Sequence, residues 1–294
     1  MRPTVQQLEA FLAVSRTLSF RQAAEQTFTS QSALSGQIKR LEEILGVKLF
    51  ERDRRRTMLT PEGERARDLA TRVLDDLDQL TAAMRTDGDP LAGRIRIGAI
   101  PTVAPFLIPR LVAKVRTDHP ETQLLVLEEP TARLVSRLQD GELDAIVLDV
   151  DVELGSAKSM VLFEEALSLA VGNGHELAGR DQVTLDDLDG LDLLLLEEGH
   201  CLSDRIRSFC RSDQSEFGDF RATSLVTLVQ MVAAGTGATL LPEMAARDFA
   251  SVPGLTIVPF AEPAPSRRIG IAWRPTDARG RTIEALAAAI EACA

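Results

Sequence analysis

The sequence predicts a small helical domain with a two-stranded wing, then one long helix, then an α/β domain of two lobes. Three observations predict this order. Apolar residues recur at helical spacing over residues 8–45, a narrow apolar stripe runs through residues 69–84, and strand patterns alternate with helical stretches from residue 94 onward. The length of 294 residues is sufficient for two or three domains with their own cores.

Three short helices form the body of the small domain, residues 1–60. Thr29 and Ser30 precede the third helix, where a hydroxyl oxygen can accept hydrogen bonds from the free N–H groups of the first turn. Gly46 ends that helix, and VKLFERDRRRTMLT then alternates apolar and basic residues, which is typical of a short wing. The periodic positions are Leu8, Phe11, Leu12 and Ser15, then Phe20, Ala23, Ala24 and Phe28, then Leu34, Ile38, Leu41 and Leu45.

Charge is distributed unevenly along the chain. The net charge is −11, yet residues 1–60 hold ten basic and six acidic side chains, a local excess that suits a phosphate backbone. The helices and wing therefore predict a winged helix-turn-helix, although the spacing alone leaves open a protein-interaction module with a solvated basic wing. The predicted DNA-binding residues are Gln31, Ser32 and Ser35 at the start of the third helix and Arg52, Arg54 and Arg55 in the wing.

A long helix is expected over residues 61–86, because Thr60-Pro61-Glu62 is a strong helix start. Its apolar stripe is narrow and bordered by charges, which favours pairing with a second copy over packing on its own domain. The stretch TDGDPLAG follows and predicts a hinge at residues 87–93. The predicted dimerisation residues are Leu69, Val73, Leu77, Leu80 and Met84.

Residues 94–294 have the βαβ rhythm of a parallel sheet. The runs RIRIGAI, TQLLVLEE and LDAIVLDV predict buried strands, separated by helices at residues 102–118 and 131–140. A second unit begins near Leu162, and the final strand and helix return to the first. We expect lobe I at about 94–162 plus 268–294 and lobe II at about 163–267.

The composition limits where the chain works. No run of eighteen apolar residues is present, so we expect no membrane-spanning helix and no membrane partner. The start MRPTVQQLEAF lacks the apolar core of a secretory signal, which predicts a cytoplasmic protein. Three cysteines are too few for a disulfide scaffold, so thiols are the default state, and Cys293 is expected to be a spectator.

Two of the cysteines, Cys201 and Cys210, lie nine residues apart in EEGHCLSDRIRSFC. Inert buried thiols are one interpretation. The other is a reactive thiol, because Cys201 stands between a buried strand and a helix start, where backbone donors and the nearby Arg205 and Arg207 can lower its pKa.

A zinc site is the weakest interpretation of this segment. His200, Cys201 and Cys210 would need a fourth ligand, and His119 and His175 lack ligand-like spacing. We expect neither a metal nor another cofactor.

Residues 19–63 fit the pattern SF..AA.....SQ.ALS.QI..LE..LG..LF.R..R...LT..G almost throughout. In this the chain resembles LysR-type transcriptional regulators, with Ser32 departing from the Pro that many members have. The resemblance extends over the whole chain, since the family joins this domain through a linker helix to a two-lobed effector domain that resembles periplasmic binding proteins. It implies an activator that works as a homo-oligomer, dimer or tetramer, on a double-stranded DNA operator and with RNA polymerase.

The stretches LLLLEEGHCLSD and FRATSL..L..MVAAG.G.TLLP resemble one subfamily of these regulators, which senses hydrogen peroxide. The resemblance implies that Cys201 reacts with peroxide and that Cys210 then forms a reversible disulfide with it. Two departures are Ser203, where several relatives have a basic residue, and Arg205, which replaces a common Gln. The implied peroxide pocket consists of Thr102, Thr131, His200, Asp204 and Arg267.

Three other functions were weighed against this one. A LysR-type regulator could instead bind a small organic effector between the lobes, with non-redox cysteines. A thiol peroxidase would not need residues 1–60, so we expect no enzyme. A solute-binding receptor fits the two lobes but would carry a signal peptide.

Overall fold

The computed structural model describes residues 2–27, 29–52, 57–83, 88–197, 199–209, 217–277 and 279–294. Residues 1–88 and 89–294 form two compact units. Within the described ranges, no helix is both long enough and apolar enough to cross a membrane.

The N-terminal unit contains the predicted helices and wing. Ser30 caps the third helix, since its Oγ accepts a hydrogen bond from the Ala33 N–H at 3.2 Å. Gly46 ends that helix with φ at 72°, a left-handed conformation that glycine adopts without strain. The helices are α1 Val5–Thr17, α2 Phe20–Gln26, α3 Gln31–Leu45 and α4 Pro61–Ala83, and the wing strands are β1 Phe50–Arg52 and β2 Thr57–Leu59.

An aromatic cluster holds the wing against the helices. The ring of Phe50 in β1 meets Phe11 and Phe20 edge-on, with centroids 5.5 and 5.8 Å apart. Leu34, Ile38 and Leu41 of α3 complete this core, as their spacing predicts. The periodic position Leu45 does not enter this core, because it is exposed at the end of α3, and Phe28 lies outside the described residues.

Helix α4 starts where the sequence predicts, because Thr60 Oγ1 accepts a hydrogen bond from the Gly63 N–H at 2.9 Å. Its apolar stripe faces away from the core of its own unit: Leu69 is 56% exposed and Leu80 is 60% exposed. Val73 and Leu77 are exposed as well, and Met84 lies outside the described residues.

The C-terminal unit has alternating strands and helices. Its strands are β3 Gly93–Ala99, β4 Thr122–Glu128, β5 Ala145–Asp149, β6 Lys158–Gly172, β7 Leu193–Leu196, β8 Phe217–Ala222, β9 Thr239–Pro242, β10 Leu255–Pro259 and β11 Ser266–Trp273. Its helices are α5 Ala104–Asp118, α6 Thr131–Gln139, α7 Cys201–Phe209, α8 Leu225–Ala233, α9 Glu243–Phe249 and α10 Gly280–Glu291, with 3₁₀ turns at Glu176–Gly179 and Leu185–Leu188.

The main sheet has the strand order β10-β6-β11-β5-β3-β4, and β9 also pairs with β6. Strands β3, β4 and β5 run parallel, whereas β11 is antiparallel to β5 and β6. Strand β6 pairs with β11 through its first part and with β9 and β10 through its second. Strands β7 and β8 form a separate parallel pair. This sheet, with helices packed against it, confirms the predicted two-lobed α/β fold.

Several details differ from the sequence predictions. Strand β4 is not buried but half-exposed, because it is the edge strand and has a neighbour on one side only. Strand β6 runs unbroken through Leu162, so the two lobes share this strand instead of meeting at a break in the chain. Leu91, in the predicted hinge, is fully buried in the core of the C-terminal unit. Helix α9 and strands β8 and β10 had not been predicted.

Candidate functional site

Three loops meet at the carboxyl ends of the parallel strands. Thr102 follows β3, Thr131 follows β4, and Asp149 ends β5. Loops at this edge of a parallel sheet converge, which is why such edges commonly hold ligand-binding groups. Helix α7 adds Cys201, and both Thr131 and Asp149 affect the pKa of its thiol.

Cys201 is the first residue of α7, and 5% of its surface is exposed. Burial raises the pKa of its thiol above the ordinary value. The positive charge of Arg267 and the hydroxyl of Thr131 act in the opposite direction but do not cancel this effect, and the charge of Asp149 adds to it. The resting thiol is therefore protonated at neutral pH.

This protonated state corrects the expectation that Arg205 and Arg207 lower the pKa of Cys201. Arg205 is engaged elsewhere: its Nε lies 3.4 Å from Asp149 Oδ2, and its Nη2 binds Asp151. Arg207 pairs with a carboxylate on its own helix, Asp204, at 3.6 Å.

Arg267 is fully buried and supplies the positive charge that acts on the thiol. Its Nη1 donates to Thr102 Oγ1 at 2.7 Å, and its Nη2 donates to the Thr102 carbonyl at 3.1 Å. Its Nε donates to Glu165 Oε2 at 2.8 Å. These contacts fix the guanidinium between β6, β11 and the loop after β3.

The Thr131 hydroxyl is an unsatisfied polar group in this site. It lies close enough to the Cys201 thiol to lower its pKa, but its buried oxygen makes no well-aligned hydrogen bond within the described residues. A buried hydroxyl without a hydrogen bond destabilises the protein, so an oxygen atom that enters the site would find a hydrogen-bond partner here.

The other two predicted pocket residues lie differently. His200 is buried, and burial lowers the pKa of its imidazole against the opposing charge of Glu197, so the ring is neutral at pH 7. Asp204 does not join Thr102, Thr131 and Arg267, because its side chain is 72% exposed on the outer face of α7 and faces Arg207. The prediction that Asp204 lines the pocket is therefore wrong for this arrangement.

The remaining residues of the cysteine segment can be placed in part. Ser203 is buried, and its Oγ donates to the Leu196 carbonyl at 2.9 Å, which ties α7 to β7. Cys210 lies outside the described residues. Cys293 is buried near the C-terminus, where burial raises the pKa of its thiol.

Two carboxylates of this region were missed by sequence reasoning. Glu165 sits opposite Arg267 in the β6–β11 pair, and Asp149 lies buried at the end of β5. The available indication was an acidic residue inside or directly after an otherwise apolar strand, in LFEEALSLAVG and AIVLD. Such residues are seldom buried without a partner.

In the N-terminal unit, the predicted recognition residues lie in the first turns of α3. Gln31 and Ser32 are exposed, and Ser35 is half-buried. The hydroxyls of Ser30 and Ser32 are 3.1 Å apart and share a hydrogen bond. Arg54 and Arg55 lie outside the described residues, as does the side chain of Arg52.

A helix-turn-helix unit joined to an α/β unit with a buried ligand-type site defines a class of protein: a transcription regulator that binds DNA and carries a sensor domain. Family models agree with this class. Residues 5–64 match the bacterial regulatory helix-turn-helix protein, LysR family, and residues 88–294 match the LysR substrate binding domain. The chain belongs to the LysR family of transcription regulators.

Within that family the chain is similar to OxyR over nearly its full length. It is 38% identical over 289 residues to the DNA-binding transcriptional dual regulator OxyR of Escherichia coli K12, covering 98% of this chain and 95% of that protein. It is 41% identical over 292 residues to a probable hydrogen peroxide-inducible genes activator of Streptomyces viridosporus, covering 98% and 94%.

Solved structures give the same result. An H₂O₂-bound mutant of Corynebacterium glutamicum OxyR has a TM-score of 0.73 at 34% identity, covering 100% of this chain and 94% of that one. A full-length OxyR mutant from Pseudomonas aeruginosa has a TM-score of 0.71 at 32% identity, covering 100% and 99%.

Proposed function

We propose that this chain is a peroxide-responsive transcription activator that is not an enzyme. In this proposal hydrogen peroxide oxidises Cys201, and a reversible disulfide with Cys210 changes how the protein engages its operator. The observation that supports it most directly is the environment of the Cys201 thiol, which faces a buried positive charge and an unsatisfied hydroxyl.

The first step is nucleophilic attack by the Cys201 sulfur on one oxygen of hydrogen peroxide. An S–O bond forms, the O–O bond breaks, and the other oxygen leaves with the thiol proton as water. Sulfur is oxidised to the sulfenic acid, and the peroxide oxygens are reduced. Thr131 would donate to or accept from the bound peroxide, and the Arg267 guanidinium would stabilise negative charge on sulfur and on the leaving oxygen.

The second step is attack by the Cys210 thiol on the oxidised sulfur. An S–S bond forms and the hydroxyl of the sulfenic acid leaves as a second water, so two thiols and one peroxide give one disulfide and two waters. Disulfide formation needs no cofactor, because hydrogen peroxide is itself the oxidant.

The disulfide conflicts with α7 as a helix. Eight steps of ~1.5 Å carry the chain about 12 Å from Cys201 to Phe209, whereas a disulfide joins Cα atoms roughly 4.4–6.8 Å apart. One further Cα–Cα step of ~3.8 Å cannot close this gap. Oxidation therefore requires α7 to unwind, and a local bond becomes a change in the shape of the domain.

The DNA-binding parts complete the proposal. Gln31, Ser32 and Ser35 would read base edges, and Arg52, Arg54 and Arg55 would contact the phosphate backbone or minor groove. The exposed stripe of α4 would pair two chains, with residues 1–60 as the DNA-binding domain and residues 61–86 as the dimerisation helix. RNA polymerase would be a further partner, and the cytoplasm, where the DNA lies, would be the place of action.

Mass spectrometry of the reduced protein before and after one equivalent of H₂O₂ tests this proposal. We expect a loss of two hydrogens in mass and a cross-linked peptide pair containing Cys201 and Cys210. An unchanged Cys201 thiol would favour the alternative, a LysR-family regulator of a small organic effector.

A further inference from the structure

We propose that Glu165 is a positioning residue for the thiol site: it holds the Arg267 guanidinium in place against Thr102, where its charge acts on Cys201. The peroxide part of this inference rests on the proposed function. Its electrostatic part concerns the Cys201 thiol alone and can be tested without peroxide.

Strand pairing places the two residues together. Glu165 in β6 and Arg267 in β11 are direct partners in the antiparallel register. Both side chains are almost wholly shielded from solvent, with 3% and 0% exposed. A charge removed from water in this way is tolerated only with an opposite charge and well-formed hydrogen bonds, so the arginine depends on its partners for its position.

The guanidinium is held along two edges. Glu165 Oε2 accepts from Nε at 2.8 Å and also lies 2.8 Å from Nη2. Thr102 accepts on the other side, through its hydroxyl and its carbonyl oxygen. Thr102 holds the two terminal nitrogens, and Glu165 holds the Nε edge, so together they fix the position and the plane of the guanidinium.

Glu165 is itself held in place. Its Oε1 accepts a hydrogen bond from the Met244 N–H at 2.9 Å, at the start of α9. Each carboxylate oxygen therefore has its own donor, one on α9 and one on Arg267. The carboxylate therefore bridges the start of α9 and the Arg267 guanidinium.

Two substitutions separate the position of Glu165 from its charge. Glu165→Gln keeps the length and an oxygen that can accept from Arg267 but removes the charge. Glu165→Asp keeps the charge but withdraws the oxygens by about one C–C bond, ~1.5 Å, so that they cannot reach both donors. The measurement is the rate of iodoacetamide alkylation of Cys201 as a function of pH, read on the Cys201 peptide.

Positioning by Glu165 predicts that the aspartate variant reacts more slowly than wild type. A misplaced Arg267 no longer lowers the pKa of the thiol, so less thiolate is present and alkylation at pH 7–8 should slow about tenfold. The glutamine variant keeps one oxygen that can accept from Arg267 but loses the opposite charge and one of the two acceptors, so its alkylation should slow less than that of the aspartate variant. The proposal is overturned if aspartate reacts like wild type or if glutamine shows the larger change.

A second background tests whether Glu165 acts through Arg267. In Arg267→Met protein, adding Glu165→Asp should change the alkylation rate no further, because the group it positions is gone. If the two substitutions instead slow alkylation by independent factors that multiply, the proposal is overturned. Glu165→Ala, which removes the carboxylate, is expected to slow alkylation of Cys201 as Glu165→Asp does. It replaces Glu165→Asp in the experiment if that variant does not fold.

The rate of sulfenic acid formation with H₂O₂ is then measured on the same proteins. We expect this rate to fall in the Glu165→Asp variant and to fall less in the Glu165→Gln variant. If wild-type Cys201 does not react with peroxide, the proposed function fails while the alkylation result still decides the role of Glu165.

Discussion

At the scale of single residues, the state of the Cys201 thiol decides how the site works. Its pKa is raised because burial outweighs the charge of Arg267 and the hydroxyl of Thr131. A protonated resting thiol resists oxidation by large or weakly bound oxidants. Reaction with peroxide then depends on what Thr131 and Arg267 supply when peroxide is in place.

This raised pKa gives a prediction about pH. Below the pKa the thiolate fraction grows tenfold with each pH unit, so alkylation of Cys201 by iodoacetamide should rise about tenfold per unit from pH 6 to pH 8.5. Peptide-resolved mass spectrometry separates Cys201 from Cys210 and Cys293, with Cys201→Ser as the control. A rate that levels off near pH 7 would instead indicate a thiolate at rest.

The proposed attacker and resolver should differ when each is removed. Cys201→Ser should abolish the reaction with H₂O₂, because the sulfur that attacks is gone. Cys210→Ser should keep initial reactivity and stop at the sulfenic acid or proceed to the sulfinic acid. Trapping the sulfenic acid with dimedone measures this, and Cys293→Ser is the control. Equal loss in both variants would contradict the assignment.

Sequence reasoning reached this site only in part. The resemblance named Thr102, Thr131 and Arg267, and the structure brings Thr102 and Arg267 into contact although 165 residues separate them. It did not find Glu165, because its pairing with Arg267 depends on the register of two strands 102 residues apart. Local periodicity shows which face a residue occupies, not which residue lies opposite it.

At the scale of elements, α7 is the part whose shape the proposed disulfide would change. Cys201, Leu202 and Ile206 pack its inner face into the core, and Ser203 ties its first turn to β7. Arg205 adds an ionic contact from its side to Asp149 and Asp151. Every one of these contacts is lost or rearranged if the helix unwinds.

Hydrogen exchange should therefore report the switch. In the reduced protein the amides of residues 203–209 should be protected by helical hydrogen bonds, and in the oxidised protein they should exchange at least about tenfold faster. Peptides from β3 and α5 serve as the internal control. Identical protection in both states would refute the refolding mechanism.

The Arg205 contact should make oxidation less favourable. Arg205→Gln removes a partly buried ion pair that the helical form makes. If unwinding of α7 breaks this pair, the equilibrium constant for the disulfide against glutathione should rise about threefold to tenfold in the variant. Arg207→Gln, on the same helix but paired with the exposed Asp204, should change it less. Equal effects of the two substitutions would show that Arg205 has no special role.

The elements with strong local patterns were predicted well, and the others were not. Ser30, Gly46 and Thr60 mark helix ends through their own chemistry, so both ends of α3 and the start of α4 agree with the prediction. The predicted end of α4 at residue 86 lies outside the described residues. Strand β8 and helix α9 are short, and their stability depends on packing against distant strands. The sharing of one strand by the two lobes could not be predicted either. It shows only in the strand pairing, because one part of β6 pairs with β11 and the other part pairs with β9 and β10.

At the scale of the whole molecule, the proposed function joins two DNA-binding domains on one operator. The N-terminal unit leaves Leu69, Val73 and Leu80 exposed on α4, a cost in water that pairing with a second helix would remove. Two recognition helices linked in this way could contact two half-sites of duplex DNA. Pairing would then affect both the oligomeric state and the salt dependence of DNA binding.

Substitution of the stripe should show this link. The double variant Leu69→Glu, Leu80→Glu places two charges in the apolar stripe of α4. The dimer dissociation constant, measured by sedimentation, should therefore rise at least about a hundredfold. On a duplex selected by the wild type from a random library, log K falls against log salt by about 0.9 per phosphate contact. A monomer keeps one half-site, so its slope should be about half that of wild type.

Val226→Glu, at an exposed apolar residue of α8, is the control and should change neither the dimer dissociation constant nor the salt slope. A double variant that stays dimeric, or that keeps the full slope as a monomer, would show that α4 does not couple the two DNA-binding domains.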